Sequence, residues 1–105
     1  MRYLFLLNPT AGKRDCTAEL APAIQAAAQR AGIPPEKRKV VVTQYAGHAR
    51  ELAAEAAHTA QADGEPVRIW TAGGDGTFNE ALTGAQGCGL AAVGRLPFGS
   101  GNDFL

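Results

Sequence analysis

The chain has 105 residues, ten basic and ten acidic side chains, and no formal net charge. At this length about two-thirds of the unfolded surface can be buried, which allows one small core and one domain. Charge neutrality argues against a non-specific nucleic-acid binder, which needs a basic excess, and a hydrophobic content of 46% argues against a disordered tail.

The longest apolar run is Tyr3-Leu4-Phe5-Leu6-Leu7, far short of the roughly 20 residues that cross a bilayer. Asn8-Pro9-Thr10 stands where a signal peptide would have its cleavage region, so the run reads as a buried strand. A loop through Gly12-Lys13-Arg14-Asp15 follows. A helical pattern occupies 17–31, with Leu20, Ile24, Ala27, Ala28 and Ala31 on one face and Gly32 placed to end it. Pro22 leaves its start anywhere from 17 to 21. A β-branched run at 39–43 predicts a second strand. Beyond Gly47 comes a second helix that buries Ala49, Leu52, Ala53, Ala56, Ala57 and Ala60 and turns Arg50, Glu51, Glu55 and His58 outward. It ends at Asp63-Gly64. A third strand is expected at 67–71 with Trp70 in the core, a short helix at 77–85, and a fourth strand at 90–93. This βαβαβαβ order predicts a three-layer α/β/α, Rossmann-like unit with a parallel sheet and right-handed crossovers. Cys16 and Cys88 are too few for a disulfide framework or a zinc site and read as structural. Cytoplasm is the expected compartment, and the arginine and alanine usage fits a GC-rich bacterial source.

In such sheets ligands bind beyond the carboxyl ends of the strands. The unusual residues of this chain fall there: Asn8 to Lys13 after strand one, Thr43 at the end of strand two, Gly73-Gly74-Asp75-Gly76-Thr77 after strand three, and Gly99-Ser100-Gly101-Asn102-Asp103 after strand four. Three glycines within four residues allow close backbone approach and offer free N–H groups. Thr77-Phe78-Asn79-Glu80 has capping-box form, so a helix N-terminus suited to phosphate is expected behind the glycines. A tight turn with an ordinary N-cap is the plainer alternative. A dinucleotide fingerprint fails because Gly74-x-Gly76-x-x-Asn79 lacks its third glycine, and a Walker A loop fails because Arg14 follows Gly12-Lys13.

The Gly73–Glu80 segment resembles the signature of the diacylglycerol kinase catalytic domain, from a superfamily that includes sphingosine, ceramide and NAD kinases. Three further segments carry the resemblance in order: Asn8-Pro9 with Gly12-Lys13, Thr43 with Gly47-His48-Ala49, and Leu96-Pro97-Phe98-Gly99-Ser100-Gly101-Asn102-Asp103-Phe104, where Ser100 replaces the usual threonine. The resemblance implies an ATP-binding N-terminal unit, with Mg²⁺ accompanying ATP, followed by a β-sandwich domain that this sequence lacks. The chain stops within an apparent functional loop, so a fragment is expected, inactive as a kinase by itself. Nucleotide contacts are implied for Asn8, Pro9, Gly12, Lys13, Thr43, Gly73, Gly74, Asp75, Gly76, Thr77, Phe78, Asn79 and Ser100, with Asn102 and Asp103 toward the substrate. A side chain at Gly74 or Gly76 would block the phosphates or force a positive φ.

Asp75 is the candidate base for an acceptor hydroxyl, against the alternative of a turn-fixing aspartate. An acid from the second domain is a rival. Lys13 and Arg14 could reach phosphate, or be solvated loop charges. His48 reads as an exposed helix-start residue that could also line the site. The implied reaction is transfer of the γ-phosphate of ATP to a lipid hydroxyl at a membrane surface, diacylglycerol first, within phospholipid metabolism. NAD kinase-like chemistry, a sphingoid or other lipid acceptor, and a non-catalytic nucleotide-binding module are the alternatives. No nucleic-acid partner is expected, and homodimerisation is left open.

Overall fold

Strand β1 (Arg2–Leu7) is apolar throughout because it is covered on both faces. Leu4 and Leu6 point to one side, where they meet helix α2 (His48–Asp63) and helix α3 (Asp75–Gly84). Phe5 and Leu7 point to the other, where Ile24 of helix α1 (Thr17–Arg30) covers them. In this computed structural model, residues 1–8, 17–72 and 75–96 are described, the side chains of 17–20 excepted.

Three further strands, β2 (Arg38–Val42), β3 (Val67–Ala72) and β4 (Ala91–Arg95), complete a wholly parallel sheet in the order β2-β1-β3-β4. A 3-10 turn at Pro35–Lys37 leads into β2. The unit is the three-layer α/β/α sandwich that the element order predicts. Chain connections leave β1 toward one edge of the sheet and β3 toward the other, so the point where winding reverses lies between these two strands. Ligands of doubly wound sheets bind at that switch point, at the carboxyl ends.

Several boundaries differ from expectation. Helix α1 runs through Pro22 and stops at Arg30, leaving Ala31 exposed. Gly32, with φ 83°, donates to the Gln29 carbonyl and Ile33 to the Ala28 carbonyl, the paired bonds of a Schellman stop. Strand β4 reaches Arg95 because Gly94 lies under the Trp70 ring; a Cβ there would stand 2.7 Å from Trp70 Cζ3. Trp70 is half-buried in the α1-side core. Cys88 is also half-buried, its thiol 3.5 Å from the Ala57 carbonyl. Cys16 lies outside the described residues.

The apolar face expected of α2 is the one that packs: Ala49, Ala53, Ala57 and Ala60 are buried, and Leu52 and Ala56 pack against them. Small side chains here let α3 come close. A Cβ at Gly84 would stand 2.2 Å from the Arg50 carbonyl oxygen, so only glycine allows this approach. Glu80 lies one turn before Gly84 on α3, and the close crossing brings its carboxylate to the start of α2.

Candidate functional site

The carboxyl edge is assembled by backbone bonds that extend the ladders past the strands. Asn8 N–H donates to the Ala72 carbonyl at 2.9 Å, and Thr43 N–H to the Leu7 carbonyl at 2.8 Å. The Thr43 hydroxyl donates to that same Leu7 carbonyl at 3.3 Å, which turns an otherwise apolar strand end into a polar corner.

Across the switch point the Asn8 side-chain amide donates to the Thr77 hydroxyl at 2.9 Å. Thr77 is buried. This bond corrects the expected capping box. Helix α3 begins at Asp75, two residues before the predicted start, so Thr77 belongs to its first turn. Glu80 likewise serves a distant partner: its Oε2 accepts from the Gly47 N–H at 3.2 Å. Gly76 is correspondingly helical. The positive-φ glycines among the described residues are Gly32, Gly47, Gly64 and Gly87, so the positive φ considered for Gly76 does not occur. A Cβ on Gly76 would meet nothing within 4 Å.

Asn8, Thr43, Gly76 and Thr77 line one cleft of about 460 Å³, together with Tyr45 and Glu80, a volume in the range of small-molecule sites. Its described lining carries one ionisable acid, Glu80, and no lysine or arginine. The first turn of α3 faces this cleft through Gly76 and Thr77, and the unsatisfied N–H groups of a helix start favour anions.

Asp75, Phe78 and Asn79 are placed differently. The exposed Asp75 carboxylate pairs with Arg95 at 2.8 Å, and the Arg95 guanidinium lies 4.4 Å from the centroid of the Phe78 ring. This trio joins the start of α3 to the end of β4 beside the cleft's lining, while Asn79 is exposed on α3. Pro9, Gly12, Lys13, Gly73, Gly74, Ser100, Asn102 and Asp103 lie outside the described residues.

Tyr45 and Arg95 had no signal in local sequence. The Tyr45 ring stacks on His48 with centroids 4.5 Å apart and planes 16° apart. Its hydroxyl donates to Glu51 Oε1 at 2.6 Å, and this bond raises the phenol's pKa above its ordinary value. His48 Nδ1 in turn accepts from the Gln44 N–H at 2.9 Å. A tyrosine three residues before a histidine at a helix start signals such a stack only when the glycine between them turns the chain, as Gly47 does with φ 91°.

The model of the diacylglycerol kinase catalytic domain family matches residues 2–105. The chain is 33% identical over 111 aligned positions to "Sphingoid long-chain bases kinase 1" of Arabidopsis thaliana, an alignment covering 99% of this chain and 14% of that relative. The match over nearly the whole chain and the polar convergence at the β1/β3 switch point agree, and the chain belongs to the diacylglycerol kinase catalytic domain family.

Proposed function

We propose that this chain is the nucleotide-binding part of an ATP-dependent lipid kinase. The observation that carries the reading is the convergence of Asn8, Thr43, Gly76 and Thr77 on one cleft at the switch point, in a chain of this family. The triphosphate lies against the first turn of α3, where backbone N–H groups and the helix dipole favour it. Pro9, Gly12, Lys13, Gly73, Gly74 and Ser100 are proposed to complete the nucleotide contacts, with Asn102 and Asp103 toward the acceptor.

In the proposed reaction the acceptor hydroxyl oxygen bonds to the γ-phosphorus as the bond from that phosphorus to the β,γ-bridging oxygen breaks, releasing ADP. The hydroxyl proton passes to the Asp75 carboxylate. Arg95 pairs with Asp75 through Oδ1, and in this reading Oδ2 takes the acceptor proton. Mg²⁺ is proposed to enter with the triphosphate as part of the substrate, offsetting its charge.

No helix of the described residues is long and apolar enough to cross a membrane, and the lipid is taken up by peripheral contact in this reading. A β-sandwich domain C-terminal to this unit is proposed to close the site and supply most of the acceptor contacts. Diacylglycerol is the first acceptor. A sphingoid base is the second, favoured by the name of the plant relative.

The test is transfer of labelled γ-phosphate by the full-length protein to diacylglycerol and to sphinganine in mixed micelles. Asp75→Asn is expected to lower turnover by about 100-fold or more while ATP still binds, since an amide cannot take the proton. Unchanged turnover would make Asp75 a surface partner of Arg95 and move the base to the second domain. Preferential labelling of sphinganine replaces the acceptor and leaves the nucleotide reading intact.

A further inference from the structure

The lining of the cleft mixes two chemistries. Asn8, Thr43 and Thr77 bring amide and hydroxyl groups, and Tyr45 and Ala46 bring an aromatic and an apolar residue. Among the described residues Tyr45 is the one aromatic side chain among the large exposed hydrophobics, at 55%.

The ring is exposed but held. His48 lies against one face, and Glu51 holds the hydroxyl. His48 is itself tied to the Gln44 backbone, and Gly47 is tied to Glu80 of the facing helix. With His48 on one face, the area open to solvent belongs to the opposite face and the ring edge. A core role does not explain an aromatic face left in water. A fixed aromatic plane at a cleft rim loses little side-chain entropy when a flat ligand stacks on it.

We propose that Tyr45 is the stacking platform for the base of the bound nucleotide, with the phosphates directed across the cleft toward Gly76 and Thr77. The inference rests on reading the cleft as a nucleotide site and deepens it by assigning the base its partner. A π-face accepts any base, so Tyr45 contributes affinity for nucleotides over inorganic polyphosphate, with little choice between purines.

The test titrates ATP and inorganic tripolyphosphate calorimetrically into the full-length protein and its Tyr45→Ala, Tyr45→Leu and Tyr45→Phe variants, with folding followed by circular dichroism. Tyr45→Ala is expected to weaken ATP binding about tenfold, Tyr45→Phe by less than about threefold, and neither to change tripolyphosphate binding by more than about twofold. In wild type the adenine H2 and H8 resonances should move upfield through the ring current, and Tyr45→Leu should abolish that shift. This readout decides the matter if Tyr45→Ala does not fold.

Unchanged ATP affinity in a folded Tyr45→Ala variant overturns the proposal. Equal weakening of ATP and tripolyphosphate also overturns it, because the ring then only shapes the loop between β2 and α2. Equal wild-type affinity for the two ligands overturns the base contact and leaves the phosphate reading standing. A wild-type protein that binds neither removes the nucleotide reading itself, and the stacking with it.

Discussion

The two ends of this sheet are held by different physics. At the amino end the Met1 ammonium, Arg2 and Lys37 converge on Glu65, at 3.0, 3.3 and 2.8 Å, and Arg2 also reaches Asp63. At the carboxyl end the bonds that cross between elements are mostly neutral or made by backbone: Asn8 to Thr77, Thr43 to Leu7, Gly47 to Glu80. At the amino end three cations are held in ion pairs to two carboxylates. At the carboxyl end, neutral bonds keep polar groups oriented around an open cleft. The described lining of that cleft holds no lysine or arginine, and Arg95 beside it is engaged with Asp75 and Phe78, so the proposed anion would depend on helix N–H groups. Salt distinguishes the two ends: it screens the half-exposed ion pairs and does little to the neutral bonds.

The largest effect is expected from breaking the carboxyl end through its geometry. Gly84→Ala places a methyl group 2.2 Å from the Arg50 carbonyl. The obstacle is backbone, so the helices must part, at a cost of about 2–3 kcal/mol. Because Glu80 sits one turn away, parting also pulls its carboxylate from Gly47 and widens the cleft. Chemical denaturation should show the loss of stability, and calorimetry should show weaker ATP binding. A variant as stable as wild type would mean that α2 and α3 do not cross at Gly84.

A smaller effect, confined to acid, is expected at the amino end. Hydrogen bonds from Lys37 and from the N-terminal ammonium lower the Glu65 carboxyl from 4.5 to about 2. A carboxyl depressed by folding stabilises the fold above its unfolded pKa, and the contribution fades as pH falls through the folded value. Wild type should therefore lose this increment as pH falls from about 4.5 to about 2. Glu65→Gln, which cannot titrate, should lack that part of the pH dependence and be less stable than wild type at neutral pH. Melting temperature against pH for both proteins checks this. Parallel curves would show that the ion pairs at this end contribute nothing net. Raising salt at neutral pH should narrow the gap between the two proteins, and it should leave the effect of Gly84→Ala in place.

What was legible in the sequence follows the range of the interactions. The strands and the apolar face of α2 depend on local runs and on spacings of three and four; β1, β2 and β3 lie within a residue of where the pattern puts them, with Thr43 just past the end of β2. The gathering of Asn8, Thr43, Gly76 and Thr77 was legible because a parallel sheet aligns strand ends. The start of α3 was misjudged because Thr77 and Glu80 have the spacing of a local cap while their partners, Asn8 and Gly47, lie 69 and 33 residues away. Strand β4 extends past the expected 90–93 to Arg95, and Gly94 there is placed by Trp70 on the neighbouring strand, a contact that local pattern does not carry. The roles of Arg95, Tyr45 and Glu65 depend on long-range contacts or on the turn at Gly47, and no periodicity encodes them.

The smallest effect on stability, and the finest separation of fold from site, is expected at Gly76. This glycine lies in the first turn of α3 without a positive φ, and a Cβ would meet nothing within 4 Å. Alanine fits there and is the better helix former, so Gly76→Ala should leave stability unchanged or raise it by up to about 1 kcal/mol. The same methyl group would project into a cleft that Gly76 lines. If phosphates approach the backbone at the start of α3, the variant should bind ATP and tripolyphosphate more weakly, in equal proportion, while melting at the same or a higher temperature. Weakening of both ligands separates this position from Tyr45, where only the nucleotide should suffer. A Gly76→Ala protein that melts higher and binds both ligands as wild type does would show that the phosphates do not rest on this turn. One that unfolds would show that the glycine is needed for the chain's path and not for the ligand's approach.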